Sequence, residues 1–167
     1  MKYATLVGSR ESPLSLIPII KEICGVLAEH KFIGRSGAAD GFDSLAEAAM
    51  NDAGGTMEVY LPWRNFNKHP SSMYNVSDAA INLAKQIHPA WDKLSQGAQK
   101  LHARNTYQVL GYDLATPSSL LVCWTKGGLK SGGTRTAVVL AEQYNVPIFN
   151  LYVATAREVT DFIRNLH

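Results

Sequence analysis

Short apolar runs alternate with segments of helical periodicity along this sequence, and that alternation constrains the fold more than any other feature. A strand followed by a helix and a second strand forms a right-handed crossover between parallel neighbours. The sequence therefore predicts a three-layer α/β domain, with a mostly parallel sheet of about five strands and helices on both faces. The predicted strands are 3–7, 31–35, 57–61, 119–124 and 147–151. The first predicted helix includes residues 20–27 and has Pro18 in its first turn. The other predicted helices are 43–51, 76–87, 94–114, 134–144 and 155–165.

The length of 167 residues favours one folded domain that spans residues 1–167. Apolar residues make up 46% of the chain and charged residues 18%, which is below the roughly 25% of an average soluble domain and argues against disorder. The formal net charge of +2 is too balanced for a protein that coats nucleic acid by charge alone. Any site for an anion must therefore be built locally.

Cysteine usage and the lack of a targeting segment predict a cytoplasmic protein. Cys24 and Cys123 are far apart and each lies in an apolar run, which favours two buried thiols in a reducing compartment over a disulfide. The first residues, Met1 to Val7, lack the apolar stretch and cleavage site of a signal peptide. No run of roughly 18 apolar residues occurs, so we expect no membrane segment.

The segment from Thr125 to Thr136, here called the glycine-rich segment, carries the strongest local signal for a ligand site. It follows the most apolar predicted strand and contains four glycines, two lysines, an arginine and four hydroxyl residues. Glycines let backbone N–H groups approach an oxyanion, and the helix that follows presents its positive end. The pattern predicts a phosphate site, with a flexible surface loop and a helix cap as the alternative. The residues predicted to contact the anion are Lys130, Ser131, Gly132, Gly133, Thr134, Arg135 and Thr136.

Two common nucleotide-binding motifs do not occur in the sequence. Gly127 and Gly132 have the spacing of a Walker loop, but Gly133-Thr134 follow where Lys-Ser or Lys-Thr is required. The Gly-x-Gly-x-x-Gly pattern of dinucleotide-binding domains is also missing. The sequence therefore disfavours ATP hydrolysis, and we expect no cofactor.

Four short motifs occur along the chain in an order that resembles a known family. They are Val7-Gly8-Ser9-Arg10, Ser36-Gly37-Ala38-Ala39-Asp40-Gly41-Phe42-Asp43, Ala103-Arg104-Asn105 and Ser131-Gly132-Gly133-Thr134-Arg135-Thr136-Ala137. Together they are similar to the signatures of the Rossmann-like domain of the DNA processing protein A family, with an additional loop and helix around residues 62–100. The resemblance covers most of the chain and implies a single Rossmann-like domain. The family belongs to the wider SLOG superfamily, which includes the Lonely Guy phosphoribohydrolases. The resemblance therefore implies that phosphate-bearing nucleotides or single-stranded DNA bind at the carboxyl ends of the strands.

The resemblance also implies roles for individual residues and a homodimer, since related proteins tend to dimerise. The implied roles are a first phosphate loop at Gly8, Ser9 and Arg10, a second at Ser36 and Gly37, a basic wall at Arg104 and Asn105, and a glycine-rich anion loop at Ser131, Gly132, Gly133 and Thr136.

Two departures from the family pattern bear on function. The family's Arg-Asn-Arg is Arg104-Asn105-Thr106 here, which removes one cation from the expected path of DNA. The phosphoribohydrolases carry a glutamate just after their Gly-Thr, whereas the first glutamate here, Glu142, lies about two helical turns further on. The second departure weakens the case for hydrolysis of an N-glycosidic bond.

Acidic and aromatic side chains near the predicted strand ends supply the remaining candidates. Asp43 and Glu47 have helical spacing and are the predicted acid–base residues of a hydrolase, with a helix cap and a solvated carboxylate as their alternative roles. Trp124 follows the apolar strand and is the predicted base-stacking residue, or else a core aromatic, and Trp91 is predicted to lie in the core. The histidines show no i, i+4 pair and no cysteine companion, so no metal site is predicted.

These patterns lead to two functions of different class. The first is a binding module for a nucleotide or for the phosphates of single-stranded DNA, acting in DNA processing and recombination or as a sensor of a nucleotide-derived ligand. The low net charge and the reduced Arg-Asn motif favour a small nucleotide-derived ligand slightly over a DNA strand. The second is an enzyme that cleaves or transfers the glycosidic bond of a nucleotide.

Overall fold

A five-stranded parallel sheet forms the centre of the computed structural model, which describes residues 1–166 and leaves the last histidine, His167, outside the described residues. The strands have the order β3-β2-β1-β4-β5. All of their pairings are parallel, as the alternation of strands and helices predicts. The strand bounds are β1 Tyr3–Leu6, β2 Ile33–Ser36, β3 Thr56–Val59, β4 Leu120–Cys123 and β5 Ile148–Asn150.

Helices cover both faces of the sheet. On β4, Leu120 and Val122 pack with the first set of helices, whereas Leu121 and Cys123 pack with the second set, which explains why this strand is apolar throughout. The predicted three-layer α/β fold is therefore confirmed. The first face carries α1 Ile17–Glu29, α2 Phe42–Asp52 and α6 Ala156–Asn165, and the second carries α3 Asp78–Ile87, α4 Gln96–Leu110 and α5 Arg135–Gln143.

Several boundaries differ from the sequence prediction, each for a local reason. The helix predicted over 94–114 ends at Leu110 because Gly111 takes a φ of 77°. The strand predicted from residue 31 begins at Ile33, since Lys31 has a φ of 62° and completes the turn out of α1. The loop predicted over 62–70 contains one short 3-10 turn at residues 66–68. Pro18 lies in the first turn of α1, as predicted.

The two cysteines and Trp91 lie in the interior as the sequence predicts. Both thiols are free and buried, and burial raises the pKa of Cys24 and of Cys123 to about 12. Trp91 is buried with Tyr60 and Tyr107 in a cluster between α3, α4 and the end of β3. Among residues 1–166, no helix is both long and apolar enough to cross a bilayer.

The strand order fixes where a ligand site forms. From the central strand β1, the chain first builds outward through β2 and β3, and later returns to add β4 and β5 on the other side. The crossovers after β1 and β4 therefore leave the sheet in opposite directions and open a crevice at the carboxyl ends of these two strands. The segments that follow β1 and β4 line that crevice.

Two glycines provide a test of the packing of the sheet. A Cβ at Gly34, in β2, would lie within 3.2 Å of Leu6 and still closer to Met57, whereas a Cβ at Gly25, in α1, would point into open space. We expect Gly34→Ala to lower the free energy of unfolding by about 1–3 kcal/mol through overpacking. We expect Gly25→Ala to raise it by roughly 0.5–1 kcal/mol through helix propensity. Urea denaturation measures both, and equal effects of the two variants would contradict this account.

Candidate functional site

A cavity of about 340 Å³ lies between the carboxyl ends of β1 and β4 and is here called the β1–β4 cavity. One wall follows β1 and the other is the glycine-rich segment that follows β4. The residues that line it are Gly8, Ser9, Arg10, Glu11, Thr125, Lys126, Ser131, Gly132, Gly133 and Thr134. Seven of the residues predicted to contact the anion line this one cavity: Gly8, Ser9 and Arg10 from the first loop, and Ser131, Gly132, Gly133 and Thr134 from the second.

The glycine-rich segment presents an uncapped helix start to this cavity. Residues 132–134 form a 3-10 turn that continues directly into α5, and Gly132 has a φ of 61°. The first N–H groups of a helix have no partner within the helix, and in the described chain neither Ser131 nor Thr134 accepts from them with its side chain. Among the other helices, α3, α4 and α6 are capped by Ser77, Ser95 and Thr155, whereas α1 and α2 also start without a side-chain cap. The N–H groups at the start of this turn are therefore free to bind an anion.

The charged side chains of the β1–β4 cavity are two cations and one carboxylate. Arg10 and Lys126 line it and are exposed, and Glu11 lies beside Arg10. Lys130 instead forms an ion pair with Glu142, with Nζ 2.8 Å from Oε1. Arg135 and Thr136 are likewise outside the residues that line this cavity within the described chain.

Asp43 holds two of the strand ends together. Its carboxylate is buried, with Oδ1 accepting from the N–H of Gly8 at 3.2 Å and Oδ2 accepting from the N–H of Gly37 at 3.1 Å. Gly8 follows β1 and Gly37 follows β2, so one side chain from the first turn of α2 joins both loops. Burial raises the pKa of Asp43 to about 6, against the opposing effects of Arg104 and of the two N–H donors.

Arg104 adds hydrogen bonds that join β2 to β3, and the buried side chains of Asp43 and Arg104 are here together called the brace. The side chain is 4% exposed, and its Nη1 donates to the carbonyls of Gly37 at 2.6 Å and Tyr60 at 3.0 Å. Its Nε donates to Oδ1 of Asn105 at 3.0 Å. Burial lowers the pKa of Arg104 to about 10, and Asp43 opposes that shift. The guanidinium is therefore engaged with the ends of β2 and β3 rather than standing in an open basic wall.

Asn105 and His102 connect α4 to the glycine-rich segment and to α5. The amide Nδ2 of Asn105 donates to the carbonyl of Gly133 at 2.6 Å. One turn earlier, Nδ1 of His102 lies 2.8 Å from the hydroxyl of Thr136. Asn105 therefore fixes the backbone at Gly133, and Thr136 is tied to α4.

Three other predicted residues lie away from the β1–β4 cavity. Glu47 pairs with His69 at 2.8 Å, and both line a separate cavity of about 320 Å³ beside α2. Ser36 is completely buried. Trp124 packs against the core and lies 6.1 Å from the ring of Tyr152, which agrees with its alternative role as a core aromatic. In the described part of the chain, no group of three or more His, Cys, Asp or Glu residues is placed to hold a metal ion.

Sequence reasoning missed several residues of this site. Lys126 and Glu11 line the β1–β4 cavity but were not among the predicted contacts. Gln108 lines a smaller cleft below it, together with Asp43 and Arg104. The spacing of four residues between Arg104 and Gln108 places both on one face of α4, and this signal was available in the sequence.

Two solved structures have this architecture. TM1055, a structural genomics target, is 21% identical with a TM-score of 0.56, and the match covers 99% of this chain and 82% of that chain. DNA processing protein A from Streptococcus pneumoniae is 16% identical with a TM-score of 0.53, and the match covers 98% of this chain and 56% of that chain. At these identities the structural likeness shows the fold alone, and it confirms the Rossmann-like fold implied by the sequence resemblance. No family model and no curated protein sequence matches the chain.

Replacement of Asp43 tests the brace between the strand ends. An amide has one acceptor oxygen, so Asp43→Asn leaves the N–H of Gly8 or Gly37 without an acceptor. We expect the free energy of unfolding at pH 7 to fall by roughly 1–3 kcal/mol. The exposed Asp40 gives the matched control Asp40→Asn, which should change stability by less than about 0.5 kcal/mol. Equal stability of all three proteins in urea would contradict the assignment.

The raised pKa of Asp43 gives a second test. The value rises from 3.8 to about 6 on folding, so the folded protein binds this proton more tightly than the unfolded chain between those limits. The part of the stability that comes from the bound proton of Asp43 is therefore complete below about pH 4 and is lost as the pH rises through about 6, which leaves the hydrogen bonds to Gly8 and Gly37 as the contribution of Asp43 at pH 7. The stability of the wild type minus that of Asp43→Asn should fall across this window and level off above it. A difference that does not change with pH would refute the shift.

Proposed function

We propose that this is a cytoplasmic protein that binds the phosphate of a small nucleotide-type ligand in the β1–β4 cavity. The observation that carries the proposal is the uncapped start of the turn into α5, at Gly132 and Gly133, which opens on a polar cavity. Arg10 and Lys126 line the same cavity and supply positive charge to an anion held there. Backbone N–H groups and nearby cations are a common combination at phosphate sites.

The size and charge of the cavity support a small ligand over a DNA strand. About 340 Å³ lies within the range of sites for small molecules. A strand of DNA needs a continuous basic track, whereas Arg104 is buried and engaged with Gly37 and Tyr60. The structural likeness to DNA processing protein A supports single-stranded DNA as the second candidate ligand.

A hydrolytic function is supported by one further observation. The carboxyl group of Asp43 lines the cleft below the cavity, and its pKa of about 6 suits a group that exchanges protons near neutral pH. Glu47, the other predicted acid–base residue, contacts His69 in the separate cavity beside α2. Incubation with nucleoside monophosphates tests this alternative, because release of free base supports an enzyme and its absence supports a binding protein.

Gly133 provides the test of the phosphate site. A Cβ at this position meets no described atom within 4 Å, so Gly133→Val should fold normally while its side chain fills the space that the anion needs. We expect binding of AMP to weaken at least about ten-fold, with the melting temperature of the free protein changed by less than about 3 °C. Isothermal titration calorimetry measures the affinity. An unchanged dissociation constant would reject the site.

Arg10 tests the contribution of charge and separates the two candidate ligands. We expect Arg10→Ala to weaken AMP binding roughly ten-fold, since hydrogen bonds to charged groups contribute about 1.5–3 kcal/mol. The exposed Arg164, in the last turn of α6, gives the control Arg164→Ala, which should bind AMP like the wild type. Tight binding of a labelled oligonucleotide that weakens steeply with salt, together with weak binding of AMP, would favour DNA instead.

A further inference from the structure

The outer edge of β3 opens on a groove that lies apart from the β1–β4 cavity. β3 is the first strand in the order of the sheet, so one side of its backbone has no strand beside it in the described chain. A cavity of about 450 Å³ lies along that side and is here called the β3 groove. Its walls are residues 57–59 of β3, Glu47 and Asn51 of α2, and residues 69–73.

One end of this edge already carries a parallel segment of the same chain. Tyr60 pairs in parallel with Met73, and the N–H of Leu61 donates to the carbonyl of Met73 at 2.8 Å. The hydroxyl of Ser71 donates to the carbonyl of Val59 at 2.6 Å and accepts from the N–H of Met73 at 3.1 Å. The outer edge of β3 therefore accepts a parallel backbone, and the chain's own segment reaches back as far as the carbonyl of Val59.

The next hydrogen-bonding position along this edge has no partner within residues 1–166. Successive strand residues turn their N–H and C=O groups to alternate sides of the strand. Tyr60 donates its N–H to Ser36 of β2 at 2.9 Å, so Met57 and Val59 face away from β2 and toward the groove. In the described chain, neither the C=O of Met57 nor the N–H of Val59 makes a hydrogen bond. These two groups have the spacing at which one residue of a parallel strand donates to the first and accepts from the second.

The charges of the groove favour a basic segment. Glu47 and Glu58 line it, whereas no Lys or Arg of the described chain does. Glu58 is 24% exposed, and its Oε1 lies 3.9 Å from Nε of the buried Arg35. The ring of His69 accepts from the N–H of Ser71 through Nδ1 at 3.1 Å, so the ring proton lies on Nε2, which is 2.8 Å from Glu47. The neutral ring leaves the charge of Glu47 in place, and the groove is therefore negative.

A strand added at this edge presents its side chains to both carboxylates. In a parallel pair, residues in register point their side chains to the same face of the sheet. The residue that bonds Met57 and Val59 is in register with Glu58, so its side chain lies beside that carboxylate. Its two neighbours point to the opposite face, which α2 covers and where Glu47 lies. Basic side chains at alternate positions therefore meet a carboxylate in either register.

We propose that the β3 groove binds an extended basic segment of a partner protein, which adds to the sheet as a parallel strand beside β3. The backbone groups of Met57 and Val59 hold the added strand, and Glu47 and Glu58 select basic side chains. This inference goes beyond the proposed function, because the β3 groove and the β1–β4 cavity share no lining residue.

Hydrogen exchange of the full chain with the synthetic peptide acetyl-Lys-Val-Lys-Val-Lys-amide tests this inference. We expect exchange of the Val59 amide to slow at least about ten-fold at saturating peptide, because its N–H gains an acceptor. The amide of Leu61 already donates to Met73, so its exchange should stay unchanged. NMR measures both rates in one experiment, and the amide of Leu61 is the internal control.

Two altered peptides and one variant separate strand addition from attraction between charges alone. The acidic peptide acetyl-Glu-Val-Glu-Val-Glu-amide should bind at least about ten-fold more weakly, and so should the basic peptide with all of its amides N-methylated. Glu47→Gln should weaken binding of the basic peptide about two- to five-fold. The exposed Glu22 of α1 gives the control Glu22→Gln, which should bind like the wild type.

Several results would overturn the inference. They are failure of the basic peptide to bind, equal affinity for the acidic peptide, equal affinity for the N-methylated peptide, and binding that leaves the exchange of Val59 unchanged. Exchange at Val59 that slows with protein concentration in the absence of peptide would replace the partner by a second copy of this chain. If Glu47→Gln does not fold, the comparison of the three peptides on the wild type decides. The titrations with AMP test the β1–β4 cavity separately, so either proposal can fail alone.

Discussion

The candidate site depends on one buried polar brace, in which Asp43 and Arg104 join the ends of three strands. The carboxylate links the loops after β1 and β2 through the N–H groups of Gly8 and Gly37, and the guanidinium links β2 to the end of β3 through the carbonyls of Gly37 and Tyr60. Asn105 extends the brace to Gly133. The loops at the carboxyl edge are thus held by directional hydrogen bonds. Such bonds fix the position of a backbone more narrowly than apolar packing does.

In this arrangement, buried side chains position the loops, and backbone amides remain available at the cavity. The side chains that the family resemblance assigns to a basic wall, Arg104 and Asn105, are engaged in positioning the loops. Within the described residues 1–166, the groups left free at the β1–β4 cavity are backbone amides near Gly132 and the exposed cations Arg10 and Lys126. A site built in this way has its geometry set before a ligand arrives, which lowers the cost of binding.

The sequence predicts most of the fold, but only half of the predicted phosphate-binding residues line the β1–β4 cavity, and the two results have different reasons. Strands and helices follow from apolar periodicity, which is a local property, and the wholly apolar run of β4 already indicates cover on both faces. Depth of burial is not local, so the pattern did not reveal that Arg104 is enclosed or that Glu47 contacts His69 on the other side of α2. The helical spacing from Arg104 could have placed Gln108 at the cleft, but an uncharged glutamine does not by itself indicate a binding site.

The pairing of β1 with β4 has a consequence for how the protein is made. Tyr3–Leu6 lies at the beginning of the chain and Leu120–Cys123 in its last third, yet the two strands are neighbours at the centre of the sheet. A nascent chain can assemble β1, β2 and β3 early, but one edge of β1 stays unpaired until β4 has left the ribosome. The β1–β4 cavity therefore forms only after β4 and the glycine-rich segment have been synthesised, and until then the unpaired edge of β1 is open to association with other chains.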